Sequence, residues 1–345
     1  MFHMKRVIFI LLILSFLGIE TFGGGQNRAG TSGAPELRIP VGAKYLAMVG
    51  SPIASITGLE SIYWNPAGVD FSLTEANALF SYRSYIADMN VNFAAVSGRL
   101  GDLGSIALSF RSLNIGEINV TTMDQPDGTG QIINPNYFII GLTYSKKLTD
   151  RVSIGANFNL INESIDRAGT SGFSFDFGVQ YKNLLAVQGL DLGVVVKNLG
   201  PAIEYDGNGL YVQAESEGER GPTYLKVDAA SAELPSEIAI GLSYQKRFDE
   251  ENVVTISAAF QNNNYTYDDY KIGAEYSFKS IFYARAGYLY TPQATDETPN
   301  IFQNYSVGAG INLKQFSGID LSVDYSYVPV KYFDANHVFA ISFGF

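Results

Sequence analysis

Cysteine and histidine, on which much nucleophilic and metal-dependent enzyme chemistry rests, are nearly missing from this chain. It has no cysteine and two histidines, His3 and His337, so neither a disulfide framework nor a thiolate metal site is available. His3 lies in an apolar leader, which leaves His337 as the imidazole around which a Ser-His-Asp triad or an Asp-His dyad would have to form. It falls in register with Phe339 and Ile341, where an interfacial ring is the simpler reading, and no enzymatic role is expected. Neither helix-borne zinc ligands nor a phosphate-binding glycine loop occurs, and no metal or cofactor is expected. What the chain offers instead is charge set between apolar neighbours: Asp176, Lys271, Glu275, Arg285, Asp320 and Asp324. Buried charges of this kind must pair or meet water. A second set, Glu204, Asp206, Glu215, Glu217, Glu219, Asp228 and Glu233 against Arg220 and Lys226, lies in one long connection and reads by default as a solvated loop.

The elements that position those charges are strands. Over His337–Phe345, Phe339, Ile341, Phe343 and Phe345 fall on one face, and Val338, Ala340, Ser342 and Gly344 on the other. That pattern fits an ordinary core strand. It also resembles the terminal signal by which outer-membrane barrels meet their assembly machinery. The rest of the chain favours the barrel. Fourteen alternating segments follow residue 73, at roughly 74–85, 89–100, 103–115, 136–148, 151–163, 172–183, 188–199, 236–248, 252–263, 267–279, 281–291, 301–314, 318–328 and 336–345. Each exceeds or matches the ~9–11 tilted residues that cross a bilayer. Phe173, Phe175, Phe177 and Val179 alternate with Ser174, Asp176 and Gly178; Ile272, Ala274, Tyr276 and Phe278 alternate with Lys271, Gly273, Glu275 and Ser277. Charges on the lipid side cost ~2–4 kcal/mol at mid-membrane, so Lys271, Glu275 and Arg285 are expected in the lumen.

Connections after even segments are brief, as at Gly101-Asp102 and Thr149-Asp150. The long ones, 116–135, 164–171, 200–235 and 292–300, follow odd segments. With both chain ends on the periplasmic side, this parity is what an even-stranded barrel requires. The expectation is an all-β, 14-stranded antiparallel transmembrane β-barrel spanning 73–345, in contact with outer-membrane lipid. Composition agrees: 22 Tyr and 23 Phe against one Trp, with 35 Gly, suit aromatic belts and a small-residue lumen. A net charge of −11 argues against nucleic acid. Residues 1–25 read as a secretory signal, with Lys5 and Arg6 before the apolar run Val7 to Leu17 and cleavage expected near Gly25.

Between residues 26 and 72 the alternation stops. The segment is rich in Gly and Pro with short helices expected, and Asn65 is placed to cap a turn that begins with Pro66. Thr31-Ser-Gly, Gly42-Ala-Lys-Tyr-Leu-Ala-Met, Gly50-Ser51 and Ser61-Ile-Tyr-Trp-Asn-Pro-Ala-Gly68 are similar to the amino-terminal signature of the PorV/PorQ family, although Val49 stands where a second Gly is expected. That family belongs with the FadL-like outer-membrane barrels, in which a related Asn-Pro-Ala turn lies in a hatch inside the lumen. The resemblance implies that residues 26–72 are an N-terminal lumenal plug held by Trp64, Asn65, Pro66, Ala67 and Gly68. It further implies an outer-membrane location and a part in protein secretion, with type IX components and cargo proteins as partners. The alternative it leaves open is a FadL-like channel for a hydrophobic ligand; a passive porin is disfavoured by the plug.

Overall fold

The computed structural model describes residues 28, 30–72, 74–214, 223–292, 294, 301–302 and 304–345. The expected leader, 1–25, and the loop residues Glu215, Glu217, Glu219 and Arg220 lie outside the described residues. Fourteen strands close into one antiparallel barrel. They are β1 (Ala76–Ser84), β2 (Asn90–Arg99), β3 (Ser105–Asn114), β4 (Asn136–Lys147), β5 (Val152–Ile165), β6 (Ala168–Tyr181), β7 (Leu190–Leu199), β8 (Glu237–Arg247), β9 (Asn252–Asn263), β10 (Asp269–Phe278), β11 (Phe282–Tyr290), β12 (Tyr305–Asn312), β13 (Asp320–Val328) and β14 (Asn336–Gly344). Each pairs with its sequence neighbour, and β1 closes on β14 through Ala78 opposite Phe343 and Phe80 opposite Ile341. Closure leaves no open edge, the condition for a sheet to cross lipid.

Side-chain parity follows the pleat. On β6, Phe173, Phe175, Phe177 and Val179 are exposed while Ser174, Asp176 and Gln180 are buried; on β14, Phe339, Ile341 and Phe343 point out while Val338 and Ala340 point in. A water-facing wall this greasy would be an aggregation surface, whereas in a bilayer it is the contact face. Tyr144, Tyr244 and Tyr276 stand exposed near the end with short turns, and Tyr82, Tyr288, Tyr290 and Tyr305 near the end with long connections. Their apolar rings and hydroxyls suit the two membrane interfaces.

One expectation needs correction. The connection 164–171 is not a long loop, because β5 and β6 run on to Ile165 and back from Ala168 around Asp166-Arg167, with Asp166 at φ +51°. The apolar alternation fades there while the ladder continues through Glu163 opposite Thr170 and Asn162 opposite Ser171. Beyond the lipid belt the outer face no longer has to be greasy, so the sequence signal ends before the strand does. The plug segment also begins its described course away from the periplasmic side. Ala76 and Gly344 do share the periplasmic end, but Arg28 lies among the outer connections, bonded to Glu233, Asn264 and Tyr265. From there the segment descends through the bore to Asp70, which meets Ser105 and Lys147 at the periplasmic ends of β3 and β4.

Candidate functional site: the plug and its seat

The residues inside the barrel fold as a string of tight turns. Pro35–Arg38, Leu46–Met48 and Pro66–Phe71 are 3-10 turns, and Ser61–Trp64 is one turn of helix, α1. Asn65 ends α1 in an extended conformation and starts the next turn, its Oδ1 accepting from the Ala67 amide at 3.2 Å with Pro66 at the first helical position. Its Nδ2 donates to the Ile53 carbonyl at 2.9 Å and to the Val179 carbonyl of β6 at 3.2 Å. One side chain therefore joins two plug turns and the wall. The Ala67 carbonyl accepts from Ser145 Oγ at 3.0 Å and Ser153 Oγ at 2.9 Å. Trp64 packs edge-on against Tyr63, with ring centroids 4.9 Å apart, and over Gly50, where a Cβ would stand 2.0 Å from the indole. Gly50 has φ +73°, a conformation open to glycine. Gly68 lies against the Ile56 carbonyl, which a Cβ would meet at 2.4 Å.

The wall is shaped to receive this backbone. A Cβ on Gly155 of β5 would stand 2.3 Å from the Pro66 carbonyl carbon, one on Gly178 of β6 2.0 Å from Asn65 Oδ1, and one on Gly193 of β7 2.5 Å from the Ile53 carbonyl. Gly273 of β10 and Gly287 of β11 make the same close approach to Met48 and Ser51. Between them, on β9, Ser257 Oγ meets Ser51 Oγ at 2.7 Å. Plug backbone thus touches the wall directly at Gly155, Gly193 and Gly287, and plug side chains fill the space left by Gly178 and Gly273. Elsewhere the seat is apolar: Leu79, Val91, Phe93 and Val338 on β1, β2 and β14 join Tyr45, Ile56, Ile62 and Val69 of the plug in one buried cluster. Fully burying each such side chain contributes on the order of 1.5–3 kcal/mol, which a Gly- and Pro-rich segment could not obtain alone.

The six sequence-derived charges all lie on the lumen side but do not form one site. Arg285 brings three of them together, with Nε on Glu275 at 2.6 Å and Nη1 on Asp324 at 2.6 Å. Asp176 accepts from Asn157 at 2.9 Å, Asn159 at 3.0 Å and the Asn198 amide at 2.7 Å. Asp320 faces Asn312 and Lys314 nearer the periplasm. Lys271 takes no part in the Arg285 triad; it donates to Gln261 Oε1 and its ammonium lies 5.9 Å from the Trp64 ring centre. His337 is exposed, its Nδ1 2.8 Å from the Tyr325 hydroxyl.

Several residues that fix the plug were not singled out by the sequence. Glu60 accepts from the amides of Ala43, Lys44 and Tyr45 at 3.1–3.2 Å, and burial pushes its carboxyl up to about 7. Arg83 and Arg111 are buried and donate to the carbonyls of Pro40 and Ile39, each at 3.1 Å. Lys197 pairs with Glu237 at 2.7 Å beneath the Tyr63 ring. Parity could have marked the wall residues, since Arg83 shares a face with Ser81 and Lys197 with Val195. Nothing in the sequence marks Glu60, whose partners are backbone amides.

The larger space left over is mainly polar. A cavity of about 220 Å³ near the periplasmic end is lined by Lys44, Thr57, Glu60, Asn77, Arg285 and Asp324, among others. A second, of about 20 Å³, lies higher, between Tyr63, Arg111, Asn159 and Asp176.

A closed barrel of this size, greasy outside and filled by its own amino-terminal segment, defines a plugged outer-membrane barrel of the FadL-like architecture. Solved structures agree on the fold. The monoaromatic hydrocarbon channel CymD matches at TM-score 0.56 and 13% identity over 88% of this chain and 97% of its own. The Ralstonia pickettii toluene transporter TbuX matches at 0.56 and 14% over 88% and 98%, and the Pseudomonas putida toluene transporter TodX at 0.53 and 12% over 87% and 96%. Comparison with curated protein sequences returns no match. The model of the family described as "Type IX secretion system protein PorV" matches residues 23–229, more than half of the chain. The chain belongs to that family, and its place is the bacterial outer membrane.

Proposed function

We propose that this barrel acts in type IX secretion as a sealed platform that receives cargo or partner proteins at its outer connections, with nothing passing through the bore. The observation that carries this reading is the seal itself: plug atoms, backbone and side chain, lie against wall glycines on five strands and hydrogen-bond to wall serines on three others. The other candidate, a channel for hydrophobic solutes, draws on the fold shared with hydrocarbon transporters at 12–14% identity. Against it, an apolar solute descending beside the plug would meet the Lys197–Glu237 pair and the Glu275–Arg285–Asp324 triad. Desolvating such groups without replacing their partners is costly.

The test locks the plug. The chain has no cysteine, so Ser51→Cys with Ser257→Cys, whose hydroxyl oxygens are 2.7 Å apart, introduces one crosslink between plug and wall. On this reading the oxidised variant supports surface delivery of cargo as well as the wild type. Loss of delivery on oxidation with recovery on reduction would show that the plug must move, and would overturn the reading.

A further inference from the structure

Where the plug enters the bore from outside, two carboxyl groups are buried side by side. Glu36, in the turn Pro35–Arg38, is 3% exposed, and Glu163, on the lumen face of β5, is 2% exposed. The turn is pressed to that wall by Ala34 and Leu37, which pack with Ile139, Ile161, Ile203 and Leu234. Ile161 precedes Glu163 by two residues on the same face. The Tyr205 hydroxyl, from the outer connection between β7 and β8, donates to Glu163 Oε2. Neither oxygen of Glu36, nor Oε1 of Glu163, has a donor, and Thr170 Oγ1 on β6, across from Glu163, is also without a partner. The other groups facing the pair are Tyr137 of β4, opposite Glu163, and Arg111 of β3, whose guanidinium is engaged by the Ile39 carbonyl and acts on Glu36 through its charge alone. Two carboxylates this close in a dry site do not both stay ionised.

We propose that Glu36 carries a proton when docked and donates it to the bare oxygen of Glu163, and that this contact is a latch holding the outer end of the plug against the wall. The proton supplies the donor that the facing oxygens lack. Burial first, and then the neighbouring Glu163 charge, push Glu36 from 4.5 up to about 8. The docked state therefore binds a proton that the released segment gives up at ordinary acidic pH. Docking is unaffected below about pH 4.5, weakens as pH rises from there to about 8, and levels off above it. Within that window the opening equilibrium shifts by up to about tenfold per pH unit.

The experiment is hydrogen exchange on the intact barrel in detergent between pH 5 and 9, with rates normalised to those of free amides. The Leu37 and Ile39 amides, bonded to Ala34 and Glu36 carbonyls, report the latch, and the Asn65 amide, bonded to Ser61, is the control. Protection at Leu37 and Ile39 is expected to fall by several-fold to tenfold per pH unit up to about pH 8. Protection at Asn65 stays level. Glu36→Gln, which keeps a donor and removes the titration, is expected to flatten the profile, and Glu36→Ala to lower protection at every pH. A level wild-type profile, or an unchanged slope in Glu36→Gln, would overturn the proposal. So would loss of protection on adding a chelator at pH 6, because the oxygens would then be held by a divalent cation.

Discussion

Replacing Asn65 with Ala removes three bonds at once. The cap on the Ala67 amide is worth about 1 kcal/mol. The two donations from Nδ2, to Ile53 and Val179 carbonyls at 2.9 and 3.2 Å, add about 0.5–1.5 kcal/mol each if their acceptors were left bare. They are not left wholly bare: the Ile53 carbonyl also accepts from Gln180 at 3.3 Å, and Val179 sits in ladder pairing with Ile154 and Val194. The sum is about 2–3 kcal/mol, rather than the roughly 1 kcal/mol of a cap alone. It acts on local docking of the plug, because the barrel ladder makes no use of Asn65. An opening equilibrium shifted by that amount changes roughly 30- to 150-fold. Trp64 is the sole tryptophan of the chain and the residue before Asn65. Its emission and its quenching by acrylamide therefore report the plug against a silent barrel. We expect the variant to assemble and migrate as the wild type does, with Trp64 released at a lower urea concentration and exchange at the Ala67 and Gly68 amides accelerated by one to two orders of magnitude. Exchange there within threefold of wild type would refute the assignment of Asn65 as the link between plug and wall.

Gly178→Ala places a Cβ 2.0 Å from Asn65 Oδ1 and should displace the same side chain. Combined with Asn65→Ala it should cost clearly less than the two separate effects added, a coupling measurable by a double-mutant cycle on Trp64 release. Arg285→Met leaves Glu275 and Asp324 buried without their shared cation, and a loss of about 3–5 kcal/mol is expected in urea titrations of the folded barrel. Conductance in planar bilayers should rise when residues 34–70 are deleted, since among the described residues these are the ones that fill the bore; a truncated barrel that conducts no better than the intact chain would mean the segment is no plug. The intact chain should run faster in detergent gels before heating than after, because a closed barrel keeps its ladder until heated.

The barrel was legible because each strand must show lipid a greasy face, and period two is then written residue by residue. Phe173, Phe175 and Phe177 can be assigned from sequence without knowledge of any partner. Where lipid ends the signal ends, so the extension of β5 past Glu163 and of β6 before Gly172 went unread although the ladder continued. Parity likewise placed Glu275, Arg285 and Asp324 on one side of the wall. It could not say that they meet, since that depends on the register that sets Glu275 opposite Arg285 and on Arg285 reaching across β12, over Gly310, to Asp324 on β13.

The seat of the plug was the least legible part, for a reason that can be traced to its glycines. In a strand, a lumen-facing Gly reads as a small residue and no more, and Gly155, Gly178, Gly193 and Gly287 look alike whether water or protein lies opposite. What distinguishes them is a plug segment far upstream in the chain, with Pro66 against Gly155, Asn65 against Gly178 and Ile53 against Gly193. The apolar sector formed by Leu79, Val91 and Phe93 was hidden in the same way although it is near the plug in sequence, because its inward faces are explicable only by the plug that covers them. A lumen open to water would place polar groups there. The apolar wall and the missing Cβ atoms are therefore two signs of one fact, that this barrel is built around a permanent occupant, and an occupant so closely fitted favours work done at the outer mouth over transit through the bore.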